Sequence, residues 1–149
     1  MSIEEQVNQG IKEAMKAQEK IRLEALRNIK KAILEAKTKP GAGGTVDDAA
    51  CLKIIQNLAK QSAESAAIYK EHGRQELYLQ ESGQLEVLNS FLPAKLTDGE
   101  LTDALKRIIA QTGATSLKEM GKVMAAAGKE LAGRADGGAI SAKVKELLG

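Results

Sequence analysis

Apolar residues recur along this chain every three to four positions, almost without interruption, and that period predicts helices. Val7, Ile11 and Ala14 follow Ser2-Ile3-Glu4-Glu5, which has the form of a capping box: a hydroxyl, then a carboxylate three residues later. Leu23, Leu26, Ile29 and Ile33 mark a second helix from about Lys20. The intervening Ala17-Gln18-Glu19 is a poor breaker, so the period leaves open one long rod or two helices. Residues 38–45 hold Pro40, Gly41, Gly43 and Gly44 and read as loop. A third helix starts at Thr45-Val46-Asp47-Asp48, with Cys51, Ile54, Ile55, Leu58, Ser62 and Tyr69 inward, and ends at His72-Gly73. A fourth, from about Arg74, uses Leu77, Leu85, Leu88 and Phe91.

Pro93 then forces Leu92 out of α geometry and sets a joint. Three shorter helices follow. Thr97-Asp98-Gly99-Glu100 and Ser116-Leu117-Lys118-Glu119 both have capping-box form. Leu101, Leu105, Ile108 and Ile109 line the first of these helices, and Leu117, Met120, Val123 and Met124 the second. Asp136 is placed to cap the last, with Ile140, Val144, Leu147 and Leu148 inside. The expected fold is all-α. An N-terminal domain of about four long, hairpin-like helices spans 1–92, and a three-helix module spans 93–149.

Composition narrows the picture. Aromatic residues make up 2% of the chain and Trp is absent, so the core must be aliphatic, which argues against a sandwich or barrel. Cys51 is the single cysteine, so no internal disulfide forms and a reducing compartment is expected. No His or Cys cluster suggests zinc, and neither a metal nor a cofactor is expected. Residues 2–20 lack the apolar centre of a signal peptide, and no apolar stretch approaches membrane length. The expectation is a cytoplasmic protein with no membrane contact.

A net charge of +2 is nearly balanced, so only its distribution speaks for a partner. Residues 104–149 carry eight Lys or Arg against four Asp or Glu. Several of these cations lie among small residues, in Met120-Gly121-Lys122-Val123-Met124 and in Gly133-Arg134-Ala135-Asp136-Gly137-Gly138. Gly133, Gly137 and Gly138 adopt positive φ cheaply, and Arg134 offers a planar fork of donors. Lys118, Lys122, Arg134, Lys143 and Lys145, with Gly121, Gly133 and Gly137, form a candidate surface for an anionic polymer. The competing structural reading has Gly121 admitting a close helix crossing and Arg134 pairing with an acid to fix the turn.

A second candidate is the stripe of Lys20, Arg27 and Lys31 on nearly one helix face, with Lys30 beside it. Its bland alternative is a solvated outer face. The glycine-rich loop lacks the Gly-Lys-Ser/Thr ending of a phosphate-binding loop. His72, the only histidine, sits at a helix end without a nucleophile at a definable distance. No catalytic residue is expected.

The same motifs carry a family resemblance. The chain resembles the YqeY family of small bacterial proteins, whose C-terminal module is similar to the tail of the GatB subunit of tRNA-dependent amidotransferases. The pairing of Met-Gly-Lys-Val-Met with Gly-Arg-Ala-Asp-Gly is the specific part. Leu26-Arg27-Asn28-Ile29-Lys30-Lys31-Ala32-Ile33, Ile68-Tyr69-Lys70 with Gly73-Arg74, Phe91-Leu92-Pro93 and Thr112-Gly113-Ala114 extend it nearly end to end. The resemblance implies a tRNA-associated accessory protein without catalysis of its own, working with an amidotransferase or aminoacyl-tRNA synthetase. The alternative is a protein–protein adaptor of the translation machinery that binds no RNA by itself. Where the family commonly has Lys after Gly-Arg-Ala-Asp-Gly, this chain has Gly138, one cation fewer.

Overall fold

The computed structural model describes residues Met1–Gly149 as an all-α protein of seven helices and one 3-10 turn, divided into two compact units, Met1–Leu92 and Pro93–Gly149. The first unit holds α1 (Ile3–Ala17), α2 (Lys20–Lys37), α3 (Asp48–Glu71) and α4 (Gln75–Phe91). Ser2 caps α1 by accepting from the Glu5 amide, and Asp47 caps α3 by accepting from the Ala50 amide. Glu5 does not reach back to complete a box at Ser2; the side chain of Gln6 instead donates to the Met1 carbonyl.

The rod-or-two question is resolved at Gln18. Its φ of 58° is left-handed, and the Glu19 amide reaches back to the Ala14 carbonyl at 3.0 Å, closing α1 as a glycine would. The chain then turns and α2 lies against α1. Val7, Ala14, Leu26, Ile29, Ile33, Cys51, Ile55 and Leu88 fill the core between the four helices. Alanines finish the inner face of α3: Ala59 and Ala66 are buried, while Ser62 and Tyr69 are half-buried. The start of α1 is tied to the neighbouring helices by the Ile3 amide donating to Asp48 and by the Glu4–Lys37 ion pair.

Cys51 sits at 0% exposure in this core. Burial pushes its thiol above the ordinary range, and the nearby Asp48, Glu4 and Asp47 carboxylates add to the rise. The raised native pKa fixes the sign. Stability from the neutral thiol is complete below the unfolded value, about 8.5, and is lost as pH rises toward the native one. Cys51 is expected to resist a disulfide reagent in native protein at pH 8 and to react fully in urea. The melting temperature should also fall more from pH 8.5 to 10 in the wild type than in Cys51→Ala, whereas equal slopes would contradict the assignment.

The second unit holds α5 (Asp98–Thr112), a 3-10 turn (Leu117–Glu119), α6 (Met120–Glu130) and α7 (Gly137–Leu148) around Leu101, Leu105, Ile108, Val123, Ala127, Ile140 and Val144. Thr97 and Glu100 form a complete capping box at α5. The one expected at Ser116 does not form. Ser116 makes no capping bond; Glu119 instead accepts from Thr115 at 3.2 Å, within a 3-10 turn that leads into α6. That turn rotates Leu117 outward to 50% exposure, so it is not part of the inner face.

Candidate nucleic-acid interface

Two short segments of the second unit carry the expected cations, and the fold treats them differently. Gly133 has a φ of 76°, and the turn it permits is held from both directions. The Arg134 carbonyl accepts from the Leu96 amide at 2.9 Å, and Arg134 Nε donates to the Ala94 carbonyl at 3.2 Å. Arg134 therefore fastens the start of the unit to the turn before α7. It keeps its two terminal NH2 groups for another partner, since the guanidinium has five donors and spends one here. Its charge also helps hold the Glu100 carboxyl below the usual range, after the hydrogen bonds from Thr97.

Gly137 and Gly138 do not use positive φ. They form the first turn of α7. Asp136 occupies the cap position but makes no capping hydrogen bond, so the expected side-chain cap is absent. Its carboxylate nevertheless stands near Gly138, 3.1 Å from where a β-carbon would be. An anion approaching those amides would meet a negative charge already in place, which weakens this helix end as a phosphate site.

Lys143 is more deeply committed. Its side chain is 15% exposed, with Nζ 3.1 Å from Asp98 and 3.5 Å from Glu146. The bond to Asp98 raises its pKa. Lys143 thus ties α7 to the first turn of α5 and is poorly placed to meet an external phosphate.

Lys122 fits the expectation better. Its side chain is 63% exposed, and its one partner is Glu119 on the preceding turn, at 3.4 Å. That contact, with Thr115, holds the Glu119 carboxyl below its ordinary range. A β-carbon at Gly121 would meet nothing within 4 Å, so the glycine does not serve a helix crossing; it leaves the surface low beside Lys122. Lys129, seven residues on, falls on the same side of α6 because seven residues are nearly two turns. Lys118 precedes by one turn, and exposed Ala125 lies between Lys122 and Lys129. Lys118 and Lys129 make no ion pair. Lys129 lies outside the Gly-Lys motif, and only the helical period of α6 places it beside Lys122.

Lys145 is exposed on α7. In the first unit Lys20, Arg27, Lys30 and Lys31 are all exposed on α2 and unpaired. Two neighbours on the same helix are not: Arg22 lies 3.8 Å from Glu13 and 3.9 Å from Glu19, and Lys37 pairs with Glu4. The structure thus sorts the basic residues into those that hold helices together and those left to solvent.

His72 ends α3, its ring nitrogen 2.9 Å from the Ile68 carbonyl. No group of three or more His, Cys, Asp or Glu side chains is arranged to hold a metal ion. No helix is long and apolar enough to cross a membrane. The family model described as Yqey-like protein matches residues 4–148. No curated protein matches the chain.

Proposed function

Because this chain belongs to the Yqey-like protein family, we propose that it is a non-catalytic, cytoplasmic tRNA-binding accessory protein, acting beside an amidotransferase or an aminoacyl-tRNA synthetase. The carrying observation is the row of exposed Lys118, Lys122 and Lys129, on a face kept low by Gly121 and Ala125. Small residues between cations let a phosphate backbone approach closely, and Lys122 to Lys129 span about 10 Å along the helix. A strand of phosphates would meet several of them at once. In the second unit, residues 93–149, this three-helix module contains no aromatic residue on which a base could stack. Its contacts are therefore with phosphate, with little reading of sequence.

The cations and glycines of the second unit take different parts. Lys118, Lys122 and Lys129 meet phosphate, with Lys145 in support. Arg134 and Gly133 shape the surface and lend the remaining guanidinium donors. Lys143 holds the helices that display the rest.

Binding of bulk tRNA across a salt series tests this. Affinity should fall steeply with salt, and Lys122→Ala/Lys129→Ala should reduce the log–log slope by about 1 to 2 and weaken binding roughly tenfold at low salt. Lys143→Ala should instead lower the melting temperature with a smaller change in slope. Binding insensitive to salt, or unchanged in the double variant, would count against the interface. No tRNA binding by the wild type would move the function to the adaptor reading.

A further inference from the structure

Gln84 is the one buried polar residue in the protein, at 7% exposure, and it lines an open cleft. Its Oε1 accepts from Asn28 Nδ2 at 3.4 Å, while its Nε2 makes no hydrogen bond. The position is not sealed. Gln84 lines a cleft of about 200 Å³ where α2, α3 and α4 meet, together with Asn28, Ser62, Ser65 and Glu81. Ala25, Leu58 and Leu88 supply the apolar part of the wall.

The donors and acceptors in this cleft define what fits. Whichever way the two amides are oriented, one NH2 and one carbonyl oxygen remain for a ligand once Asn28 and Gln84 are joined. Glu81 makes no ion pair and adds an acceptor with negative charge, which disfavours an anionic group inside. Two hydroxyls serve as either donor or acceptor. The cleft is below the roughly 300–1,000 Å³ typical of drug-sized ligands and suits one small flat ring. A neutral ring with a donor–acceptor edge and an exocyclic amino group matches all of these features.

The surroundings say where such a ring would come from. Asn28 lies on α2 directly after Arg27 and one turn before Lys31, and both cations are exposed and unpaired, as is Lys20. Positions three or four apart on a helix are surface neighbours. The rim of an amide-lined cleft is therefore flanked by a phosphate-sized row of positive charge. We propose that the cleft takes one unstacked, amino-bearing nucleobase of an RNA strand whose phosphates lie along Lys20, Arg27 and Lys31. Base reading of this kind is how single-stranded RNA is usually distinguished. The inference rests on the RNA reading above, but it concerns a different unit and different residues.

The test uses the full-length protein, short single-stranded oligomers of cytidine and of uridine, and free cytidine. The side-chain amide resonances of Gln84 and Asn28 are followed by NMR. The cytidine oligomer should shift both amides and bind more tightly than the uridine oligomer, which lacks the amino group. Gln84→Leu, which suits the apolar side of the site and should fold, is expected to lose this preference and weaken cytidine-oligomer binding roughly tenfold at fixed salt. Exposed Asn28→Ala provides a second variant with less risk to the core.

Oligomer binding that leaves both amides unmoved, or equal affinity for the two oligomers, would overturn the proposal. So would a response to free cytidine without one to the oligomer, which would mark a nucleoside site. If bulk tRNA binds through Lys122 and Lys129 while the amides stay still, the cleft assignment fails and the proposed function stands.

Discussion

Leu105→Ala is expected to unfold the second unit while the first remains folded. Leu105 is at 0% exposure on α5 and lies among Leu101, Ile108, Val123, Ala127 and Val144. Truncating a buried leucine costs about 2–5 kcal/mol through lost transfer energy and the cavity left behind. The unit has only 57 residues, 93–149. A core of that size rarely supplies more than about 3–5 kcal/mol, so the substitution removes most or all of its margin.

The choice of probe matters. Tyr69, Tyr78 and Phe91, the only aromatic residues, all precede Pro93, so tyrosine fluorescence and near-ultraviolet dichroism report on the first unit alone. Amide hydrogen exchange resolved by residue is the suitable measurement. Protection in α5, α6 and α7 should collapse while Leu26, Ile29 and Ile55 keep theirs. Persistent protection at Ile108 and Val144 would show that the unit draws stability from something other than this core. If the tRNA interface lies on α6, the same variant loses tRNA binding.

Helix positions were legible because an aliphatic period of three to four residues survives in every segment and both prolines lie outside helices. Thr97 could be read as a cap because the box needs only residue types at fixed spacing, and the backbone there is extended as the motif requires. The same letters failed at Ser116. Its neighbour Thr115 competes for Glu119, and the backbone tightens into a 3-10 turn. Two hydroxyls side by side made the motif ambiguous, and spacing does not choose between them.

Gln18 was illegible for a related reason. A left-handed residue is usually announced by glycine or asparagine, and glutamine gives no such signal. The candidate interface was half legible. Gly121 beside Lys122 leaves open space that the sequence itself suggests, whereas the partners of Lys143 and Arg134 lie 45 and 40 residues away in sequence, at Asp98 and Ala94. Charge counting treats such residues as equal, and only packing shows which are already occupied. A single glutamine among polar helix positions carries no pattern, so the burial of Gln84 is visible only in the packed structure.

The close approach of α2 and α4 supports the second large effect, at Gly83. A β-carbon there would lie 2.9 Å from Ile21 Cγ2, too close for any real contact. This methyl is attached directly to the Ile21 β-carbon, so it moves only if χ1 leaves its preferred well or the helix shifts. Replacing a mid-helix glycine normally gains up to about 1 kcal/mol. At this position the gain is set against overpacking, which costs about 1–3 kcal/mol and more as bulk increases. Gly83→Ala should therefore come out near neutral or slightly destabilising, and Gly83→Val should lose about 2 kcal/mol.

Ile21 provides the control. It is 38% exposed, so Ile21→Ala alone should cost only about 1 kcal/mol, and it deletes the obstructing methyl. In urea denaturation the Ile21→Ala/Gly83→Val pair should be more stable than the two single losses predict, with a coupling above about 1 kcal/mol. Strict additivity, or a Gly83→Val protein as stable as the wild type, would mean that the helices do not meet at this glycine. The measurement also bears on the amide cleft, because Gln84 follows Gly83 on α4 and Asn28 lies two turns beyond Ile21 on α2. Forcing these helices apart should weaken the Asn28–Gln84 hydrogen bond, already 3.4 Å long, before it disturbs the aliphatic core around Ile29.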